Sequence, residues 1–363
     1  MKVAIVGSRG IPNRYGGFEE LAEKLAIGLG EKGHSIIVYN PHNHPVSGFK
    51  AAGVKIVKIF NPEFLLGTFG QFLYDLGATL HTWFSQPDII LQLGYTSSSI
   101  WYKLLPRKSR IITNMDGLEW MRSKYTPTVK TFLKHAEKWA AKQSHLLIAD
   151  HLEIENYLHL HYINQVIYIP YGAEIPKESQ PNLLEQFNLQ QKKYNLAIAR
   201  FEPENHIEEI INGHKLSGVE YPLVLVGSYK NRFGSHLKRH NPGNKNIIFL
   251  GPIYDKQTLN ALRSHAHIYF HGHSVGGTNP SLLEAMACGC NIVAHKNPYN
   301  KGVLASNGTY FNNAEEIAAH LKARFIKTTW QSRARKNISA IRDKYNWQIV
   351  IEQYELAMKQ LLI

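Results

Sequence analysis

The chain has 363 residues, 44% of them hydrophobic and 19% charged, which excludes a disordered or fibrous protein and provides length for two α/β domains with a cleft between them. Lys and Arg outnumber Asp and Glu by 41 to 28, a formal charge of +13, so the favoured partners are anionic: nucleotide phosphates, nucleic acid or a lipid surface. No zinc-finger or aromatic RNP pattern accompanies that charge, which removes nucleic acid from the expected partners.

The N-terminus opens straight into a strand-like run, Lys2 to Gly7, without the features of a signal peptide, and this predicts a cytoplasmic protein. Short β-branched runs alternate with helical patterns from there on, predicting parallel strands over 3–6, 36–39, 55–59, 89–93, 111–114, 146–149 and 166–169. Pro170, Tyr171 and Gly172 break the pattern, a polar stretch follows, and strands resume over 196–199, 223–226, 247–250, 268–270 and 292–294. The reading is two doubly wound, Rossmann-like domains, 1–170 and 171–345, with a C-terminal helix over 346–363 that can pack on either one. The two cysteines, Cys288 and Cys290, are too close together to staple a domain and read as reduced thiols. A metal site joining them to His271, His273 and His295 is a weak alternative.

In open α/β sheets, ligands collect beyond the carboxyl ends of the strands. The unusual residues of this sequence fall there: Arg9 to Gly17 after the first strand, Tyr95 after the fourth, Asp116 after the fifth, Arg200 after the first strand of the second domain, and His271 to Asn279 after another. The most informative segment is Gly276-Gly277-Thr278-Asn279-Pro280-Ser281-Leu282-Leu283-Glu284. Asn279 suits a helix cap and Pro280 the first helical position. Glycines leading into that helix let amide N–H groups around Thr278, Asn279 and Ser281 meet a diphosphate, with Glu284 one turn in to accept both hydroxyls of a ribose. Alternatively, Glu284 merely faces solvent on a core helix. Arg200 offers a permanent cation beside Glu204 and Asn205, either for a nucleotide diphosphate or for a surface ion pair. Near the N-terminus, Gly16 and Gly17 permit close approach of a phosphate or sugar, yet no GxGxxG follows the first strand and Tyr39-Asn40 ends the second without an acid, so a dinucleotide enzyme is disfavoured.

Gly16-Gly17-x-Glu19, the Arg200 loop and the helix Glu284-Ala-Met-Ala-Cys-Gly289 together resemble the retaining glycosyltransferases of family 4, whose fold is GT-B, two Rossmann-like domains facing across a cleft. Tyr15-Gly-Gly-Phe-Glu-Glu20, Asn114-Met-Asp-Gly-Leu-Glu-Trp120 and Gly276 to Glu284 resemble the subgroup of bacterial rhamnosyltransferases acting in capsule and cell-wall polysaccharide assembly. The resemblance implies an N-terminal acceptor-side domain, with Glu19, Tyr95, Asp116 and Arg122 toward the acceptor, and a C-terminal donor domain. Gly16 and Gly17 would border the donor phosphates, Arg200 would contact the diphosphate, Glu284 would hold the ribose, and Ile253 would lie near the base. Gly276 and Asn205 stand where the family has a glutamate and a lysine. Asp116 is the expected group to orient or deprotonate the acceptor, with Glu119 second; the alternative for Asp116 is a helix cap or a turn residue before Gly117. No Asp-x-Asp occurs, and neither metal nor cofactor is expected; the partners are a nucleotide sugar and a glycan or lipid-linked saccharide. A nucleotide-sugar 2-epimerase and a non-catalytic sugar-binding protein share the pattern.

Lys130, Lys134, Lys138 and Lys142 recur at every fourth position of a helical segment, which is either a solvated face or a contact with an anionic membrane. The Phe- and Leu-rich stretch 64–84 is interrupted by Asp75 and His81 and reads first as a core-packed helix, with membrane contact as the alternative.

Overall fold

The structure, a computed structural model, describes the chain from Met1 to Ile363 except Tyr15, Ser47, Gly48, Asn244 and 324–326. It separates into two compact units. The first comprises Met1–Met121, Tyr125–Tyr171 and Trp347–Ile363, the second Arg122–Lys124 and Gly172–Asn346.

The first unit is built on seven strands: β1 (Lys2–Val6), β2 (Ser35–Pro41), β3 (Val54–Ile59), β4 (Ile89–Leu93), β5 (Arg110–Asn114), β6 (Leu146–Ala149) and β7 (Gln165–Tyr168). They pair in parallel in the order β3-β2-β1-β4-β5-β6-β7, so the direction of winding switches between β1 and β4. All five residues of β4 are buried, as a strand covered on both faces requires. The cover comes from α1 (Gly17–Glu31), α2 (Glu63–Leu66), α3 (Phe69–Ser85), α4 (Pro127–Gln143) and α5 (Leu152–His161). Helix α1 buries Leu21, Leu25 and Leu29, the spacing of a single helical stripe. Helix α4 begins where the sequence chemistry says it should: Thr126 accepts from the Val129 N–H and Pro127 occupies the first turn.

The second unit repeats the design with β8 (Asn195–Ile198), β9 (Leu223–Val226), β10 (Ile247–Gly251), β11 (Tyr269–His271), β12 (Ile292–His295) and β13 (Thr309–Phe311). Their order is β10-β9-β8-β11-β12-β13, with the switch between β8 and β11. Strand β13 has three residues and was not predicted, because Thr-Tyr-Phe after Ser-Asn-Gly is too short to show a period. The helices are α6 (Ile207–Ser217), α7 (Arg232–Arg239), α8 (Lys256–His265), α9 (Pro280–Ala287), α10 (Pro298–Leu304), α11 (Ala314–Lys322) and α12 (Lys327–Asp343). Their apolar faces, Ile210 and Ile317 among them, close the core over Leu223, Leu225, Phe270, Val293 and Phe311.

The last helix, α13 (Trp347–Gln360), belongs to the first unit. It lies on α1, where a side chain at Gly28 would meet the Ile351 Cδ1 at 2.5 Å. Glu355 on α13 takes the His34 Nε2 at 2.9 Å and the Lys32 Nζ at 3.1 Å, and Val350, Tyr354 and Met358 are fully buried. The expectation of a core helix over 64–84 holds for one face only. Helix α3 buries Tyr74, Asp75, Ala78 and Thr82, while Phe64, Leu65, Leu66, Phe69, Leu80, Trp83 and Phe84 are exposed.

Candidate functional site

The winding switch between β8 and β11 brings two loops together, residues 199–206 after β8 and 272–279 after β11. They are stitched to each other: Ser274 donates through its N–H at 3.0 Å and its hydroxyl at 2.9 Å to the Glu204 carbonyl, and the His206 ring pairs with the Gly272 carbonyl at 2.8 Å. Gly272 is needed there, since a Cβ would sit 2.0 Å from the Asn205 carbonyl oxygen. Asn205 Nδ2 donates to the Arg200 carbonyl at 2.7 Å, closing the turn that carries Arg200. The Arg200 side chain is exposed and makes no hydrogen bond or ion pair among the described residues, so the surface ion pair considered from the sequence does not form. Glu204 is buried and accepts from the Ser123 hydroxyl at 2.5 Å, which makes it and Asn205 braces of the loop.

Helix α9 starts at this switch. Asn279 accepts from the Ser281 N–H at 3.0 Å, Pro280 follows it, Thr278 is buried, and Gly276 has φ +124° with open space where a Cβ would point. The Ser281 hydroxyl meets Tyr269 at 2.8 Å. Glu284, on the next turn, is ion-paired with Arg263 from the last turn of α8, and Arg263 is 2% exposed. Its Nε and Nη1 have no hydrogen-bond partner among the described residues. The sequence reading missed Arg263; the available signal was a lone arginine in register with Thr258, Ala261 and Leu262, the buried stripe of α8. Ile253 is half-buried after Gly251 and Pro252.

Histidines crowd the same region. His271 and His273 stack at 4.4 Å, and His206 stacks on His295 at 3.8 Å. Burial drives the His271 pKa down to about 3 and that of His273 well below its ordinary value, the latter helped by His271, Arg200 and Arg122. Burial and His206 lower His295 to about 4. Burial thus favours the neutral form of His271, His273 and His295. The Cys288 and Cys290 thiols turn instead to the Asn260 Oδ1 at 3.7 Å and the Arg263 carbonyl at 3.2 Å, with both pKa values raised by burial. Among the described residues no three His, Cys, Asp or Glu side chains are grouped as metal ligands.

In the first unit, β5 delivers Asp116 in a left-handed turn at φ +52°, a conformation that Asp tolerates and most residues do not. Asn114 holds that turn, accepting from the Asp116 N–H at 2.9 Å and donating to the Tyr354 hydroxyl of α13 at 2.8 Å. The turn reading of Asp116 is therefore correct as geometry, and it leaves the carboxylate partly exposed. Glu119 is fixed through its N–H, which donates to the Tyr95 hydroxyl at 3.2 Å. A buried carboxylate anchors this segment: Glu137 on α4 accepts from Tyr157 at 2.8 Å, Tyr162 at 2.7 Å, Trp120 at 3.0 Å and Tyr95 at 3.3 Å. Glu137 was also missed, although it interrupts the apolar stripe Leu133, Ala136, Ala140 and Ala141.

Three acceptor-side expectations are corrected by burial or grouping. Tyr95 is 1% exposed with its hydroxyl engaged by Glu137 and Glu119, and burial raises its pKa far above the ordinary value. Glu19 is buried and accepts from the Arg9 N–H at 2.7 Å, so it shapes the loop after β1. Arg122 groups with the second unit, near enough to His273 to lower its pKa. Gly16 is the extended residue before α1 and Gly17 its first residue; Tyr15 lies outside the described residues. Lys134, Lys138 and Lys142 are exposed and Lys130 half-buried on the outer face of α4.

Residues 179–340 match the family model of glycosyl transferases group 1. The protein is a glycosyltransferase. Residues 98–174, which include Asp116, Glu119 and Glu137, match a domain of unknown function, DUF1972. No curated protein matches the chain in sequence. Among solved structures it is similar to sucrose-phosphate synthase from Thermosynechococcus elongatus, with a TM-score of 0.85 at 16% identity over 99% of this chain and 98% of that one. It is also similar to Anabaena HepE in complex with UDP-glucose, with a TM-score of 0.75 at 13% identity over 99% of each chain. A third is the trehalose-phosphate synthase of Burkholderia xenovorans in complex with glucose-6-phosphate, with a TM-score of 0.76 at 11% identity over 99% of this chain and 100% of that one. The glycosyltransferase therefore has the GT-B fold, two doubly wound parallel-sheet domains.

Proposed function

We propose that this glycosyltransferase moves L-rhamnose from dTDP-rhamnose, with retention, onto a glycan or lipid-linked saccharide in the synthesis of cell-surface polysaccharide on the cytoplasmic side. The observation that carries donor binding is the start of α9: an Asn279-capped helix end behind a glycine pair, with Glu284 held on the second turn by buried Arg263. Amide groups at that end suit a diphosphate, and a carboxylate one turn later suits ribose hydroxyls. Anabaena HepE, with the same fold, binds UDP-glucose. The choice of rhamnose rests on the three segments around Gly16, Asp116 and Gly276 that resemble the rhamnosyltransferase subgroup.

Breaking the bond between sugar and phosphate leaves negative charge on the departing diphosphate. Arg200, an exposed cation with no ion pair among the described residues, and the amides before Ser281 meet that charge without a metal ion in this mechanism. Gly16 and Gly17 border the phosphates and Ile253 the base. Asp116 takes the proton of the acceptor hydroxyl, with Glu119 beside it in sequence. A donor panel tests the reading by thermal shift, because bound nucleotide raises stability by mass action, followed by turnover with NMR of the anomeric product. dTDP-rhamnose is expected to give the largest shift and a product of retained configuration. Efficient turnover of a UDP-hexose and none of dTDP-rhamnose overturns the donor; an inverted product overturns retention.

A further inference from the structure

Helix α3 is apolar on both faces. It buries Tyr74 and Ala78 in the core of the first unit, with Asp75, Thr79 and Thr82 also buried, and exposes Phe69, Leu80, Trp83 and Phe84, the last at 84%, whereas an ordinary surface helix turns a polar face to water. The exposed apolar surface continues through α2, where Phe64 is 66% and Leu65 71% exposed, to Phe60 at the end of β3. Ring contacts fall in two groups: Phe60 with Phe64 at 6.4 Å, and a run that reaches α4 through Phe69 with Phe72 at 5.9 Å, Phe72 with Phe132 at 5.9 Å and Phe132 with Trp139 at 6.2 Å. Helix α4, which that run reaches, also carries Lys130, Lys134, Lys138 and Lys142 at every fourth position, with the Lys134 ammonium 4.5 Å from the centre of the Trp120 ring. None of the four makes an ion pair among the described residues.

We propose that this surface seats the protein on an anionic lipid bilayer, with the side chains of α2 and the outer face of α3 in the headgroup–acyl boundary and the α4 lysines on lipid phosphates. Large exposed apolar side chains together with a row of lysines on a neighbouring helix are the composition of an interfacial element. No helix among the described residues is long and apolar enough to cross a membrane, so the contact lies on the surface. A second copy is the poorer occupant: a two-fold contact applies the same patch to itself, and the lysine row would then meet its own charge. The proposal is independent of the donor and of the transfer reaction.

The test is co-sedimentation of the full chain with phosphatidylglycerol and with phosphatidylcholine vesicles at low and high salt. Two variants are compared, Lys130→Gln/Lys134→Gln/Lys138→Gln/Lys142→Gln and Phe64→Ser/Leu65→Ser/Phe84→Ser. Thermal denaturation confirms that both stay folded. The parent is expected on phosphatidylglycerol and not on phosphatidylcholine. Each lysine removed should lower vesicle affinity roughly fivefold at low salt, and the serine variant should lose binding with all four lysines in place. Absence of parental binding to phosphatidylglycerol overturns the proposal, as does binding that survives the serine changes. Lipid-free self-association of the parent that the serine variant loses assigns the surface to a second copy instead.

Discussion

The guanidinium of Arg263 is buried against the carboxylate of Glu284, and two of its three nitrogens make no hydrogen bond among the described residues. Removing the acid leaves a buried charge unpaired, so Glu284→Ala is expected to lose about 3 kcal/mol of folding stability as well as about 1 to 3 kcal/mol of nucleotide affinity. Arg263→Met added to it should restore part of the stability and none of the affinity. Chemical denaturation and nucleotide titration of the three proteins check this; nucleotide binding undiminished in Glu284→Ala would show that the carboxylate serves only the arginine.

Asp116 adopts a left-handed backbone that Asn also tolerates. Asp116→Asn should therefore fold and bind donor as the parent does while losing roughly 10²- to 10⁴-fold in turnover, the span of general acid–base catalysis. Asp116→Ala should in addition melt earlier. A steady-state assay beside a melting curve separates the two effects, and parental turnover in the Asn variant would leave Asp116 a turn residue.

Tyr354 reaches from α13 to Asn114, whose other end holds the Asp116 turn. Tyr354→Phe keeps the packing and deletes one buried hydrogen bond, so about 1 kcal/mol of stability should go. If the bond also fixes the turn, turnover falls with donor affinity unchanged. Measuring KM for each substrate and kcat in this variant shows whether the effect is confined to the acceptor side.

Asp75 is buried on α3, where it accepts from the Ser97 hydroxyl at 2.5 Å, and burial raises its pKa from 3.8 to about 7. The folded state keeps this proton over a range where the unfolded chain has released it, so the stability it confers is complete below about pH 4 and is lost as pH rises through 7. Asp75→Asn mimics the protonated carboxyl. Its melting temperature should exceed the parent's at pH 8, with the gap closing toward pH 4; a gap independent of pH would contradict the assignment.

Twelve of the strands were legible because a parallel strand covered on both faces is a compact β-branched run, and Ile89–Leu93 or Leu223–Val226 leaves little room for another reading. The switch-point loops were legible for a different reason: Gly276, Asn279 and Pro280 have special backbone chemistry that shows in one dimension. What stayed hidden were partnerships. Nothing local says that Arg263 meets Glu284 or that Tyr95, Trp120, Tyr157 and Tyr162 converge on Glu137, since these contacts join separate elements. Tyr95 was placed toward the acceptor because strand-end position was taken as exposure, and burial is set by what packs above; Glu19 was placed there by the family resemblance, and its burial in α1 turns it to the Arg9 N–H instead. The outward face of α3 was misjudged because its apolar residues match a core pattern as well as a membrane one.

The return of α13 to the first unit sets the order in which the chain can mature during synthesis. Domains usually complete themselves from the N-terminus as they emerge, yet here the first unit lacks Val350, Tyr354 and Met358 until α13 has been made, after the second unit. The second unit, apart from Arg122–Lys124, is continuous in sequence and emerges whole beforehand. A nascent chain therefore carries its second unit finished while the apolar side of α1 still waits for cover, and a ribosome that stops before α13 releases a protein whose flaw lies beside α1, far in sequence from the missing residues.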